Sequence, residues 1–138
     1  MRILAIDHGT KRMGIAVSDE LRMIALPLEF VPSVPFQKFL ERLKTLIQEK
    51  EADLILVGMP RNMDGSYGPS AVRVQEFVAV LKEVIAIPIK TWDERLTSAQ
   101  ANRCLIEANV RRSQRRERVD QTAAAILLQS YLDSLTPG

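Results

Sequence analysis

Apolar positions along the chain switch between two spacings, and each switch marks the boundary of an element. Ile3 to Ile6 is a short apolar run with β-branched residues, Gly9 and Gly14 bracket a polar turn, and Ile15 to Val17 is a second run. That pattern predicts a β-hairpin. Met23 to Val31 is a third apolar stretch interrupted by Pro27, which suits an edge strand because proline cannot donate to a ladder. From Pro35 to Glu51 the period becomes helical, with Phe36, Phe39, Leu40, Leu43, Leu46 and Ile47 on one face and Lys38, Glu41, Arg42, Lys44 and Gln48 on the other. Asp53 to Gly58 is nearly continuous in apolar residues, as in a central parallel strand covered on both faces.

A loop from Met59 to Pro69 follows, and Ser70 reads as the N-cap of a second helix in which Val74, Phe77, Val78, Leu81 and Ile85 recur at helical spacing. Ile87 to Trp92 is a last strand. Thr97 with Gln100 forms a capping box for a third helix reaching about Ala108. Val119 to Leu135 predicts the last helix, and Ala123, Ala124 and Ala125 let its start approach a sheet closely. A hairpin, an edge strand and two βα units predict an α/β fold with a five-stranded mixed sheet in the order 3-2-1-4-5, flanked by helices, given right-handed crossovers. At 138 residues the chain is expected to be a single domain, 1–138, with a core large enough to need no disulfide or zinc staple.

Composition narrows the class without choosing a function. Hydrophobic residues are 46% and charged residues 26%, and no apolar run approaches the ~20 residues of a membrane span. The chain opens directly in a strand pattern rather than a signal peptide, so a cytoplasmic location and no membrane partner are expected. Cys104, the single cysteine, has no partner for a disulfide or a thiolate metal site and reads as a small apolar residue. Charge is distributed unevenly. Between Arg103 and Arg118 six arginines stand against Glu107 and Glu117, a net of +4, so the overall +2 leaves −2 on the rest of the chain. Within that stretch Arg111, Arg112, Arg115 and Arg116 are candidate contacts to a polyanion.

The chemistry starts at Asp7, a carboxylate ending an apolar strand. Burying it is costly without a cation or hydrogen-bond donors beside it. Gly9 leaves room for close backbone approach, Thr10 offers a hydroxyl, and Lys11 and Arg12 bring positive charge, so the turn suits a phosphate near a metal. Asp93 or Glu94 at the end of the fifth strand, and Asp120 on the small-residue side of the last helix, are the other acids that a 3-2-1-4-5 sheet would bring toward Asp7. Oxygen-only ligands suit Mg²⁺ or Mn²⁺ rather than zinc. Two such ions about 4 Å apart would activate a water and stabilise the leaving oxygen of an in-line phosphodiester displacement. The expected activity is therefore metal-dependent hydrolysis of a nucleic-acid backbone. Taken singly, each acid also has a structural explanation as a turn former or a helix-dipole acid. His8, the only histidine, is given no catalytic role.

Four stretches together resemble the YqgF family: Asp7 to Asp19 (Asp-His-Gly-Thr-Lys-Arg-Met-Gly-Ile-Ala-Val-Ser-Asp), Val57 to Ser66, Trp92 to Ser98, and Val119 to Leu132. Its members are bacterial ribonuclease-H-like proteins also described as Holliday-junction resolvases. The resemblance implies a ribonuclease-H-like fold and a role in maturing the 5′ end of the precursor of small-subunit (16S) ribosomal RNA, with junction resolution as the competing activity. It implies Asp7, Glu94 and Asp120 as the catalytic, metal-holding acids, and so favours Glu94 over Asp93. Arg95 is then placed to meet a phosphate and Asn62 to position substrate. Expected partners are structured RNA or branched DNA, with ribosomal precursor particles for the RNA reading. RNA trimming needs one active site, whereas paired incision of a junction needs a homodimer.

Two other classes fit parts of the pattern. An ATPase of the actin and sugar-kinase type also opens with Asp-x-Gly-Thr on a hairpin, but it needs a second lobe that 138 residues cannot supply. A non-catalytic RNA-binding module would use the hairpin and the basic stretch and would be indifferent to Asp7.

Overall fold

The computed structural model describes residues 1–60, 64, 66–93 and 122–135. Its strands are β1 (Arg2–Asp7), β2 (Arg12–Ser18), β3 (Ala25–Pro32), β4 (Ala52–Met59) and β5 (Ile89–Asp93), and its helices are α1 (Phe36–Glu49), α2 (Pro69–Val84) and α3 (Ala123–Leu135). The strands form one sheet in the order β3-β2-β1-β4-β5. β1 is antiparallel to β2 and parallel to β4, β3 is antiparallel to β2, and β5 is parallel to β4. This is the predicted order.

The alternation of side chains along β1 divides the interior into two layers. Leu4 and Ile6 point toward α1 and α2, where they join Ile15, Val57, Phe39, Leu43, Val74 and Leu81. Ile3 and Ala5 point the other way, toward α3, with Ala16, Leu56, Ala124, Leu127, Leu128 and Tyr131. Past Asp53, β4 is apolar because both of its faces are covered, and Ile55 to Met59 are all buried. The edge position of β3 explains its tolerance of Pro27, opposite Ala16 at a register shift in the β2–β3 ladder.

Several predicted boundaries move, each for a local reason. Ser70 is not the cap of α2: the helix opens at Pro69, with Gly68 as N-cap and no side-chain cap. Proline at the first helical position lacks only an N–H that would have no helical partner anyway. The described α3 runs from Ala123, just after Thr122, whose Oγ1 accepts the Ala125 N–H at 3.2 Å; the predicted start at Val119 lies outside the described residues. β5 starts after Pro88, whose carbonyl accepts the Ile55 N–H at 3.0 Å, and runs one residue past Trp92. The predicted helix from Thr97 to about Ala108 lies outside the described residues.

Candidate active site at the carboxyl end of β1

Asp7 is the last residue of β1 and is half-buried. It shares its face of the sheet with Ile3 and Ala5, the face that α3 covers. Gly14 of β2 is its register partner, and on the other side the β1–β4 register, ending at Ile6 opposite Val57, sets Gly58 beside it. Neither neighbour carries a side chain, so the strand-end carboxylate is flanked by backbone, as in a site meant to admit a ligand. Gly14 is also tight: an added Cβ would lie 3.3 Å from Cε1 of Phe30 and 3.6 Å from Cβ of Asp7. The Phe30 ring therefore lies down beside Asp7, and the Arg12 guanidinium sits on that ring, 4.1 Å from its centroid. Asp7, Gly14, Phe30 and Arg12 form one row on the α3 face, carrying a cation near the carboxylate through an aromatic platform.

The hairpin turn that bears Thr10 and Lys11 is held from below. Ser33, buried after β3, donates its hydroxyl to the Gly9 carbonyl at 2.6 Å, and its N–H donates to the Lys11 carbonyl at 3.0 Å. Thr10 and Lys11 are exposed. Gly9 has a different reason from the one its sequence context gives. A Cβ there would meet the Arg12 carbonyl oxygen at 2.2 Å, so the turn's own backbone demands glycine whether or not a phosphate approaches.

His8, to which sequence reasoning gave no role, follows Asp7 and so projects to the opposite side. Its ring packs on Phe77 of α2 with centroids 4.9 Å apart. Burial holds the imidazole below its ordinary pKa, with Asp7 opposing and the nearby Arg73 reinforcing that shift. Strand alternation could have found this side-switch between Asp7 and His8, whereas Ser33 and Phe30 gave no signal before the β3 register was known.

Of the fifth-strand acids, Asp93 pairs with Met59, a residue packed in the α1 and α2 layer. Trp92, one step back, packs in the α3 layer and meets Tyr131 edge-on at 5.0 Å. Asp93 therefore stands on the face away from Asp7. Glu94, Asp120, Asn62, Arg95, Arg111, Arg112, Arg115 and Arg116 lie outside the described residues. Among the described residues no group of three His, Cys, Asp or Glu converges. As far as its donor goes, Asp7 fits a hard divalent ion: it offers carboxylate oxygen in a half-buried place with glycine on both sides.

A mixed sheet in the order β3-β2-β1-β4-β5 with helices on both faces is the ribonuclease-H-like fold. Two solved structures share the fold. Thermus thermophilus RuvC in complex with Holliday junction substrate matches with a TM-score of 0.61 at 14% identity, over 98% of this chain and 95% of that one. The Fowlpox virus resolvase in its complex with Holliday junction DNA matches at 0.54 and 14% identity, over 99% of this chain and 100% of that one. The chain belongs to the family described as "RuvX: Holliday junction resolvase", which it matches over residues 1–134, and which is the YqgF family its motifs resemble. Relatives named "Putative pre-16S rRNA nuclease" include one from Halothermothrix orenii, 44% identical over 96% of this chain and 95% of its own length. Another, from Geobacillus kaustophilus, is 46% identical over 97% of this chain and 99% of its own length.

Proposed function

We propose that this chain is a metal-dependent endonuclease that hydrolyses nucleic-acid phosphodiester bonds, acting in the cytoplasm in 5′-end processing of precursor 16S ribosomal RNA. The observation that carries this reading is the half-buried Asp7, between two glycines at the carboxyl end of β1, in a chain 44% identical to relatives named for that processing. The position of Asp93, on the opposite face, supports Glu94 as the second acid, since neighbours on a strand face opposite ways. With Asp120, these oxygens would hold Mg²⁺ or Mn²⁺, two ions in the full site. Bound there, the metal supplies a nucleophilic water and charge neutralisation at the transferring phosphate. The chain's own contribution is to place the substrate. Arg12, braced on Phe30, with Thr10 and Lys11 on the clamped turn, meets the phosphates next to Asp7. Asn62, Arg95, Arg111, Arg112, Arg115 and Arg116 extend the contact along the backbone, and these contacts position the strand without reading its sequence.

Cleavage of a four-way DNA junction is the second reading, favoured by the family's description. It differs in requiring a two-fold dimer, whereas RNA trimming needs one copy and takes its substrate from ribosomal precursor particles. The test offers the purified protein, with Mg²⁺ or Mn²⁺, a precursor RNA containing the mature 5′ boundary and, separately, a synthetic four-way junction. Asp7→Asn keeps the side chain's size and removes its charge. Cutting of one substrate should fall at least about 100-fold in this variant, because even the outer partners of metal ligands are worth roughly 10–100-fold. Cutting that survives Asp7→Asn would sink the nuclease reading, and equal RNA binding by both proteins without any cutting would favour the non-catalytic module.

A further inference from the structure

On the side of the hairpin turn away from Asp7 lies an open groove of about 410 Å³. One wall is the connection from β3 to α1, with Val34 and Phe36; the other is a stripe of α2, Arg73, Glu76, Phe77 and Val80, at the spacing of one helix face. His8, Gly9 and Thr10 close its end nearest the catalytic turn. The floor is aromatic: Phe77 packs against His8 at 4.9 Å and Phe36 at 6.1 Å, and Phe36 stacks with Phe39 at 5.9 Å. The rim carries both kinds of hydrogen-bonding partner, the Arg73 guanidinium as donor and the Glu76 carboxylate as acceptor. Val34 is 74% exposed and Val80 39% exposed, so both walls present apolar surface that a ligand could reach.

A planar, apolar-faced ligand with donors and acceptors on its edge matches these walls. So does the location: His8, Gly9 and Thr10, which line the groove, directly follow Asp7 in the chain, so the groove opens beside the turn that Asp7 begins. We infer that the groove receives one unstacked nucleobase of the substrate strand, held between Phe36 and Val80, with its edge toward Arg73 and Glu76. The inference rests on the nuclease reading for the identity of the strand. Single-stranded nucleic acids are commonly held by such base-on-aromatic contacts, and a base that must enter the groove cannot remain in a duplex stack. The substrate is then single-stranded or splayed beside the cleaved bond.

The single histidine makes the test direct, because the Cε1–Hε1 pair of His8 gives one NMR peak. The protein is titrated without metal, so that nothing is cut, with a pentaribonucleotide and with a fully abasic pentamer carrying the same phosphates. Total binding is followed in parallel by fluorescence anisotropy. The His8 peak should move saturably with the RNA and not with the abasic chain. Val80→Trp and Val34→Trp, which fill the groove from opposite walls at exposed positions, should each weaken the RNA-dependent shift about ten-fold or more. Retained thermal unfolding shows that both variants are folded. If the abasic chain moves His8 equally, or both filled variants respond like the wild type, the groove holds no base. RNA that binds by anisotropy and leaves His8 unmoved also overturns the groove while the nuclease reading stands; failure to bind any nucleic acid overturns both.

Discussion

The backbone N–H of Ile3 lies in the interior, and its acceptor is a side chain, the Oγ of Ser18 at 2.9 Å. That hydroxyl donates in turn to the Asp19 carbonyl at 3.0 Å, and Ser18 is 1% exposed. Ser18→Ala would leave a buried donor without a partner, which costs about 1–3 kcal/mol. Urea unfolding should show that loss with an unchanged slope; a change within ~0.3 kcal/mol would mean that a water replaces the hydroxyl. Ser18 and Ser33 play the same part at opposite ends of the sheet, a buried serine serving backbone that strand pairing leaves over. Neither could be singled out from the sequence, because the groups they satisfy are 15 and 24 residues away. Asp7 was legible for the opposite reason: a charge closing an apolar strand is anomalous without any knowledge of its neighbours.

Among the elements, α3 shows how small residues set the distance between layers. Ala124 and Ala125 are buried against the sheet face formed by Ile3, Ala5, Ala16 and Leu56, so the first turn of the helix rests close to the backbone of β1 and β2. Ala124→Leu would force a branched side chain into a contact built for a methyl group. A penalty of about 1–3 kcal/mol follows from overpacking. Thermal unfolding should register it as a lowered midpoint, and an unchanged midpoint would mean that α3 shifts freely on the sheet. The same alanines announced a close approach in the sequence, and the helical and strand periods announced the sheet order. What pattern could not place was where each element starts. Pro69 takes the first turn of α2 away from Ser70, because a cap is decided by local backbone geometry that periodicity does not record.

At the scale of the molecule, structure and charge are divided. The described core holds two apolar layers about one sheet, while the stretch from Arg103 to Arg118 carries +4 of a total +2. Arginine is among the residue types least often buried, so replacing those of this stretch should leave the fold intact and change chiefly the long-range attraction. Each phosphate contact to a single strand contributes about −0.7 to the slope of log affinity against log salt. If Arg111, Arg112, Arg115 and Arg116 all meet phosphates, changing the four to alanine should flatten that slope by up to about 3 for single-stranded RNA. Asp7→Asn should not flatten it, since that change removes a negative charge and no cation. Equilibrium binding across a salt series, with thermal unfolding as the control, separates these cases. An unaltered slope in the four-fold variant would assign the electrostatic footprint to Lys11 and Arg12 beside the active site, and would make the hairpin turn rather than the basic stretch the part that holds the strand.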